Sequence, residues 1–247
     1  MATIKPFKCI RPDAEKAAQV AALPYDVYNR EEAKAAVAGR PLSFLNIDRA
    51  ETQFDKDIDI YSDEVYYKAK ELLEKEIADG TFVTDKEDVY YIYELTMNGR
   101  SQTGIVACAS IDDYLSNRIK KHEKTRAEKE LDRIRHVDVT GAQTGPIFLA
   151  YRANETINGV VAGVRRGAPL YDFVSDDGIR HTVWKIDRKD DIDAVRGAFE
   201  GINSIYIADG HHRAASAVKV GLRRREANPG ARNSIIFSLC FSQMTSL

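Results

Sequence analysis

An apolar run at residues 205–208 leads directly into a glycine turn and then a helix, and this junction constrains the fold more than any other segment. The run reads as a buried strand, Asp209 and Gly210 turn the chain, and helical spacing follows. A helix start leaves backbone N–H groups without intrahelical partners and carries the positive end of the helix dipole. The junction therefore predicts an anion site at the end of a strand.

The side chains of the turn add charge to that backbone site. His211, His212 and Arg213 supply further donors, and the planar guanidinium of Arg213 suits phosphate or carboxylate oxygens. Asp209 is predicted to hold a metal ion or to take a proton from a hydroxyl. The structural alternative makes Asp209 a helix N-cap and the histidines surface residues, but it gives the His-His-Arg run no role.

Composition narrows the classes of partner. The chain of 247 residues has 30% charged residues and a net charge of -2, so it offers no basic field for nucleic acid. No segment approaches the ~20 apolar residues that cross a bilayer, and the N-terminus lacks a signal-peptide core. We therefore expect a cytoplasmic protein whose partners include neither nucleic acid nor a membrane. The sequence gives no oligomeric state.

The three cysteines, Cys9, Cys108 and Cys240, lie far apart in the sequence. Two of them fall in apolar, strand-like runs, which favours small buried side chains over a disulfide or a zinc set. None sits beside a histidine in sequence, so a catalytic cysteine is not favoured.

Helices and strands follow one another without the strict alternation of a parallel α/β fold. Asn98 and Gly99 separate two apolar alternating runs, which predicts a type I′ hairpin. Residues 62–78 carry an apolar helical face that ends at Gly80. Residues 7–10 and 43–48 read as strands, and 14–22 read as a helix.

This order of elements predicts a single α+β domain over residues 1–247, with a mixed sheet surrounded by helices. Neither a GxGxxG nor a GxxxxGK[ST] pattern occurs in the sequence. A dinucleotide fold or a P-loop kinase is therefore unsupported.

Residues 116–140 are highly charged, and we predict that they form an insertion lining the site. His122, Glu123, Thr125 and Arg133 bring an acid, a base, a hydroxyl and a phosphate-binding cation together. A solvated, salt-bridged helix has the same pattern, and this alternative stays open. His122 and His136 match no common zinc spacing, whereas Mg²⁺ held by carboxylates and phosphate oxygens fits the composition.

Five motifs in one order resemble domain-of-unknown-function family 1015. They are PYDV at 24–27, GIV at 104–106, HEKT at 122–125 with DR at 132–133, HTVW at 181–184 and DGHHR at 209–213. The resemblance runs from the N-terminus to about Val220. The family usually continues beyond a final strand with an acidic, proline-containing end, which SIIFSLCFSQMTSL lacks, so we expect a fragment or a shortened member.

The DGHHR corner also resembles the ParB/sulfiredoxin superfamily, including its free-serine kinases. That resemblance implies a ParB/sulfiredoxin-like core, a turn that binds nucleotide phosphates and an acidic base from an N-terminal loop. It covers mainly one turn and its flanking elements. Here Asp26 occupies the position of that base, and the neighbouring Tyr25 either packs or functions.

The leading hypothesis is phosphoryl transfer from ATP or ADP, with Mg²⁺, to a small hydroxyl metabolite such as free serine. Asp26, Asp209 and Glu123 are the predicted catalytic residues, and Asp209 is also the predicted metal ligand. The predicted phosphate and nucleotide contacts are Gly210, His211, His212, Arg213, His122, Thr125 and Arg133.

A second hypothesis is a regulatory module that binds a nucleotide or phosphometabolite without transferring a group. The sequence does not separate this module from an enzyme. A DNA-binding partition protein is disfavoured, because no recognisable helix-turn-helix follows the corner and the chain has no basic excess.

Overall fold

The computed structural model describes residues 2–123, 125 and 127–228, together with the backbone of residues 236–244. The strands are β1 (Ile4–Lys5), β2 (Ile10–Pro12), β3 (Phe82–Thr84), β4 (Tyr90–Met97), β5 (Arg100–Ser110), β6 (Ile119–Lys120), β7 (Ile147–Arg152), β8 (Tyr171–Val174), β9 (Arg180–Ile186), β10 (Ile205–Asp209) and β11 (Ile236–Met244). The α-helices are α1 (Ala17–Val20), α2 (Arg30–Val37), α3 (Leu45–Asp48), α4 (Asp63–Ala78), α5 (Ile111–Leu115), α6 (Ala127–Thr140), α7 (Glu155–Val164), α8 (Lys189–Glu200) and α9 (His211–Ala227). Short 3₁₀ helices cover Tyr25–Val27 and Ala50–Gln53.

The main sheet is mixed, as the sequence predicts. Its described strands run in the order β6-β10-β7-β11-β5-β4-β9-β8, and β1 pairs with β5. The β6–β10 and β7–β11 pairs are parallel, whereas the other pairs are antiparallel. Strands β2 and β3 form a separate two-stranded sheet. The fold class is therefore α+β with a mixed sheet.

The predicted hairpin joins β4 and β5. Asn98 and Gly99 both have positive φ, at 50° and 78°, and Met97 pairs with Arg100 across the turn. Two successive positive φ values are what a type I′ turn requires, and they match the right-handed twist of the strands. The prediction from the Asn-Gly pair is confirmed.

Alternate residues of β4 and β9 face opposite sides of the sheet. On one side Ile92 pairs with Trp184, and both join the main core together with Phe199 of α8, which is fully buried. On the other side Tyr93 pairs with Val183. That second face looks toward α1 to α4, β2 and β3, which we call the N-terminal layer.

Helix α6 connects the N-terminal layer to the corner helix. It packs against α4 on one side and α9 on the other. Ile134 and Val137 contact Val220 of α9, while Arg133 and His136 are buried on the same helix. One face of this charged helix is therefore interior. Among the described helices, none combines the length and apolar character needed to cross a bilayer.

Residues 43–48 are predicted as a strand, and that prediction is wrong because Leu45–Asp48 form helix α3 and no strand is present there. Leu45 and Ile47 are buried, but a short apolar run does not distinguish a strand from a helix. The side-chain amide of Asn46 donates to the carbonyls of Arg40 and Pro41, at 3.0 and 3.3 Å, and holds the compact turn.

Two shorter predictions in the N-terminal region also need correction. Strand β2 begins at Ile10, after residues 7–9, and Phe7 makes only an isolated bridge with Val89. The helix predicted at 14–22 is α-helical only over Ala17–Val20. The backbone leaves the helical region at Ala21, where ψ is 131°, and Pro24 disfavours a helical conformation at Leu23.

Candidate functional site

The chain turns from β10 into α9 through Gly210, which has φ of 90°. A Cβ at this position would lie 3.2 Å from Cζ of Arg213. Glycine is therefore needed both for the left-handed backbone and for the space beside the guanidinium. The turn aims the start of a 17-residue helix at the end of the strand, which is the arrangement that favours anions.

Arg213 is held rigidly in this corner. Its Nη2 lies 2.5 Å from Oδ2 of Asp209, and its Nη1 donates to the carbonyl of Pro146. A Cβ on Gly145 would come within 3.0 Å of Cδ of Arg213, so the side chain runs between two glycines. The Arg213 side chain is only 12% exposed, whereas that of Asp209 is 72% exposed.

His211 turns toward the charged segment. It is 4% exposed, its Nδ1 lies 3.4 Å from Oε2 of Glu123, and its ring meets His122 edge-on at 4.5 Å. Its Nε2 is buried without a hydrogen-bond partner among the described residues. Burial, followed by the charge of His122, lowers the pKa of His211 and favours the neutral imidazole.

Thr125 and Glu130 fasten the charged segment to the corner helix. The Thr125 hydroxyl donates to Oε2 of Glu130 at 2.7 Å, and Lys219 of α9 pairs with Oε1. Ser216 donates to the carbonyls of Glu130 and His212, at 3.1 and 2.7 Å. Thr125 therefore lies near the corner with its hydroxyl already engaged.

The PYDV loop is clamped by Arg49, which follows α3. Its Nη1 donates to the carbonyls of Tyr25 and Tyr28, at 2.9 and 2.7 Å, and its Nε lies 2.5 Å from Glu51. The loop therefore presents Asp26 from a fixed backbone. Asp26 lines a cavity of about 220 Å³, which we call the acidic chamber.

Arg133 links this chamber to the corner. Its guanidinium packs 4.0 Å from the centre of the Tyr25 ring and pairs with Asp132, with Nη2 and Oδ2 separated by 2.9 Å. Asp48 lies 3.8 Å away and accepts a hydrogen bond from Thr144 at 2.6 Å. Desolvation by burial raises the pKa of Tyr25 and keeps its hydroxyl protonated.

A smaller cavity of about 20 Å³ lies between Arg133 and Arg213. It shares four lining residues with the acidic chamber: Tyr25, Asp48, Arg133 and His136. Asp26 and Arg213 are thus on adjoining cavities. Asp209 and His122 line neither of the two cavities.

The predicted metal ligand, Asp209, is a single exposed carboxylate. Within the described part of the chain, no group of three or more His, Cys, Asp or Glu side chains is arranged to hold a metal ion. Mg²⁺ commonly takes one or two protein carboxylates and completes its shell with phosphate oxygens and water. Asp209 fits that role, although one of its oxygens already pairs with Arg213.

Sequence reasoning missed four residues that shape the site: Asp48, Arg49, Thr144 and Gly145. Asp48 falls within the incorrectly predicted strand at 43–48, and Arg49 follows it directly. Gly145 precedes Pro146 just before β7, and a Gly-Pro pair at a strand start is a usable signal for a close backbone approach. The high charge of α6 is visible in the sequence, but the burial of Arg133 and His136 is not.

The protein is therefore a mixed α+β protein in which the N-terminus of α9, an arrangement that favours anions, lies near the acidic chamber. The family model described as "Protein of unknown function (DUF1015)" matches residues 4–246. The chain belongs to this family, which confirms the family resemblance seen in the five motifs. Comparison with curated proteins and with solved structures finds no match for the chain.

Proposed function

We propose that the chain transfers a phosphoryl group from ATP or ADP to the hydroxyl of a small metabolite, with free serine as the first candidate. The observation that carries the proposal is Arg213, fixed between Gly145 and Gly210 beside the start of α9 and adjoining the chamber of Asp26. A hydrogen-bond donor that is already held in place need not be reoriented when the transition state forms, so it stabilises that state without an added cost. The proposal includes a ParB/sulfiredoxin-like core and a cytoplasmic location.

The donor phosphates would bind at the corner. The N–H groups at the start of α9 and the unshared N–H groups of Arg213 would donate to phosphate oxygens, with Gly210 allowing close approach. His211, His212, His122 and Thr125 would border the nucleotide from the side of the charged segment. Mg²⁺, when bound, would neutralise phosphate charge, and Asp209 is the residue that would hold it.

The acceptor would enter the acidic chamber. Asp26 would take the proton of its hydroxyl while the hydroxyl oxygen bonds to phosphorus and the bond from phosphorus to the departing nucleotide oxygen breaks. Arg133 would steady the loop of Asp26 through the Tyr25 ring, and it would add positive charge between the cavities. Glu123 is the third proposed catalytic residue, and its carboxylate lies beside His211.

We also propose that residues 1–247 form one α+β unit in which residues 116–140 are an insertion bordering the site. The packing of α6 against both α4 and α9 supports this arrangement. The Glu130–Lys219 pair and the Ser216 hydrogen bonds tie the insertion to the corner helix.

The test is incubation of the protein with labelled ATP or ADP, Mg²⁺ and a mixture of free amino acids, followed by analysis for a new phosphorylated product. Arg213→Ala should lower turnover more than 100-fold, because losing one such donor costs roughly 3–4 kcal/mol of transition-state stabilisation. Arg223→Ala, an exposed position on the same helix, is the matched control and should retain full turnover. Equal turnover in the two variants would refute the assignment.

The second candidate is a nucleotide or phosphometabolite module without transfer. The observation favouring it is that Asp26 lines the acidic chamber and Asp209 does not, so these two proposed catalytic carboxylates do not share one cavity. Nucleotide binding that disappears in Arg213→Ala, with no labelled product in the wild type, would select the module. Labelled product would select the enzyme.

A further inference from the structure

A cavity of about 690 Å³ lies between the main sheet and the N-terminal layer, and the proposed function does not use it. Its floor is the face of β4, β8 and β9 that points away from the main core, including Tyr93, Val183 and Phe173. Its opposite wall includes Phe44 and Phe82 of the N-terminal layer. We call it the sheet-face cavity. Its size falls within the roughly 300–1,000 Å³ usual for small-molecule sites.

The polar atoms of one wall are already paired with the protein. His181 has its Nδ1 2.5 Å from the Tyr93 hydroxyl and its Nε2 2.9 Å from the Ser175 hydroxyl. With both ring nitrogens engaged, this imidazole has no remaining donor or acceptor for a ligand. Burial lowers the pKa of His181, so the ring is neutral near pH 7.

The same holds at the other end of the cavity. The Tyr171 hydroxyl donates to the Pro12 carbonyl at 2.5 Å and accepts from Arg11 at 3.1 Å. The Cys9 thiol faces the Ile10 carbonyl at 3.4 Å, and burial raises its pKa to about 12, which keeps it uncharged. A charged ligand lying against these groups would lose its hydration without gaining a partner.

The wall geometry favours flat rings. Phe173 and His181 stack with ring centres 5.0 Å apart and planes 11° apart, and Tyr93 stacks on His181 at 5.9 Å. Phe44 and Phe82 meet edge-on across the cavity wall, with ring centres 5.9 Å apart. Aromatic faces and edges arranged in this way add specific ring contacts to the burial of apolar area.

We propose that the sheet-face cavity is a binding site for an uncharged aromatic small molecule, distinct from the corner. The two sites are neighbours, since Gln143 and Thr144 line both this cavity and the small cavity beside Arg213. Their chemistry differs, because the His181, Tyr171 and Cys9 groups of this cavity are paired within the protein and its walls carry aromatic rings. Cationic Lys8 and Arg224 also line it, so the test includes a charged probe.

The probe is N-phenyl-1-naphthylamine, an uncharged aromatic amine whose fluorescence rises in an apolar environment. The full chain should bind it saturably with one probe per chain. The matched charged probe, 8-anilinonaphthalene-1-sulfonate, has the same ring skeleton plus a sulfonate and should bind at least tenfold more weakly. Absence of saturable binding, or tighter binding of the sulfonate, overturns the proposal.

Variants locate the probe. Val183→Trp and Ala142→Leu fill the cavity from two different walls, and each should weaken probe binding at least tenfold. Met97→Trp, at an exposed hairpin end, is the matched control and should leave binding unchanged. If Val183→Trp fails to fold by circular dichroism, Ala142→Leu decides the outcome. Unchanged affinity in a folded cavity variant overturns the proposal.

The test is independent of phosphoryl transfer. Arg213→Ala should abolish nucleotide-dependent activity and leave the affinity for N-phenyl-1-naphthylamine unchanged. If the activity is absent from the wild type but the probe binds in the sheet-face cavity, the proposed function fails and this inference stands. If the activity is present and the probe does not bind, the proposed function stands and this inference fails.

Discussion

The corner and the sheet-face cavity both contain polar side chains, but these side chains have different kinds of partner in the two regions. At the corner, charged groups lie close together: Arg213 pairs with Asp209, and Arg133 pairs with Asp132 and lies 3.8 Å from Asp48 of a distant segment. At the sheet face, His181 lies between hydroxyls of the neighbouring strand and hairpin turn. Under the two proposals, the first arrangement would provide charged groups to an ionic ligand, and the second would leave no unpaired imidazole nitrogen against an apolar ligand.

Two histidines, His211 at the corner and the half-buried His181 at the sheet face, show the difference most clearly. His211 keeps one nitrogen buried without a partner among the described residues, whereas both nitrogens of His181 are paired. A buried polar atom without a partner is costly, so its retention at His211 suits a site that completes itself with a ligand. His181 forms part of a wall.

The largest expected effect on stability comes from the buried charge that joins the two corner cavities. Arg133→Ala leaves the carboxylates of Asp132 and Asp48 without their guanidinium, which should cost about 3–5 kcal/mol of unfolding free energy. Urea denaturation measures the loss. Arg135→Ala is the matched control, since its pair with Asp63 is exposed and should contribute at most about 1 kcal/mol. Similar losses in both variants would mean that burial does not distinguish the two pairs.

A smaller effect is expected at the turn itself. Gly210→Ala forces a side chain into φ of 90° and against Arg213, so it should destabilise the chain by about 1–2 kcal/mol. Gly159→Ala should have the opposite effect on stability, because Gly159 lies inside α7 and an added Cβ would have no heavy atom within 4 Å. It should stabilise by roughly 0.5–1 kcal/mol. Thermal unfolding of both variants tests the pair, and destabilisation by Gly159→Ala would contradict it.

The smallest expected effect is the pH dependence of stability from three histidines that burial affects. Burial lowers the pKa of His136, His181 and His211 in the folded state. Below about pH 6.5 the unfolded chain therefore binds more protons than the folded one, and stability falls as the pH drops. Urea midpoints at pH 7.5 and 5.5 should differ less in His181→Gln than in the wild type. An equal difference would show that His181 contributes nothing to the acid sensitivity.

Local patterns determined much of the fold. The Asn98-Gly99 hairpin, the capping box of Asn29 with Glu32 and the helix ending before Gly80 all follow from backbone preferences of nearby residues. The strand, glycine and helix at 205–227 were also predictable, because the glycine turn and the change of period lie within one short segment. Each of these signals can be read from nearby residues, without knowing which distant segments come into contact.

The tertiary structure alone decided which charges meet. No local signal reveals that Arg49 holds the PYDV loop, that Arg133 packs on Tyr25, or that Gly145 makes room for Arg213. The charged stretch at 116–140 has the composition of a solvated helix, yet Arg133 and His136 are buried while Leu131 is 57% exposed. Burial of a charge depends on partners supplied by other segments, and sequence spacing encodes those partners only through the completed fold.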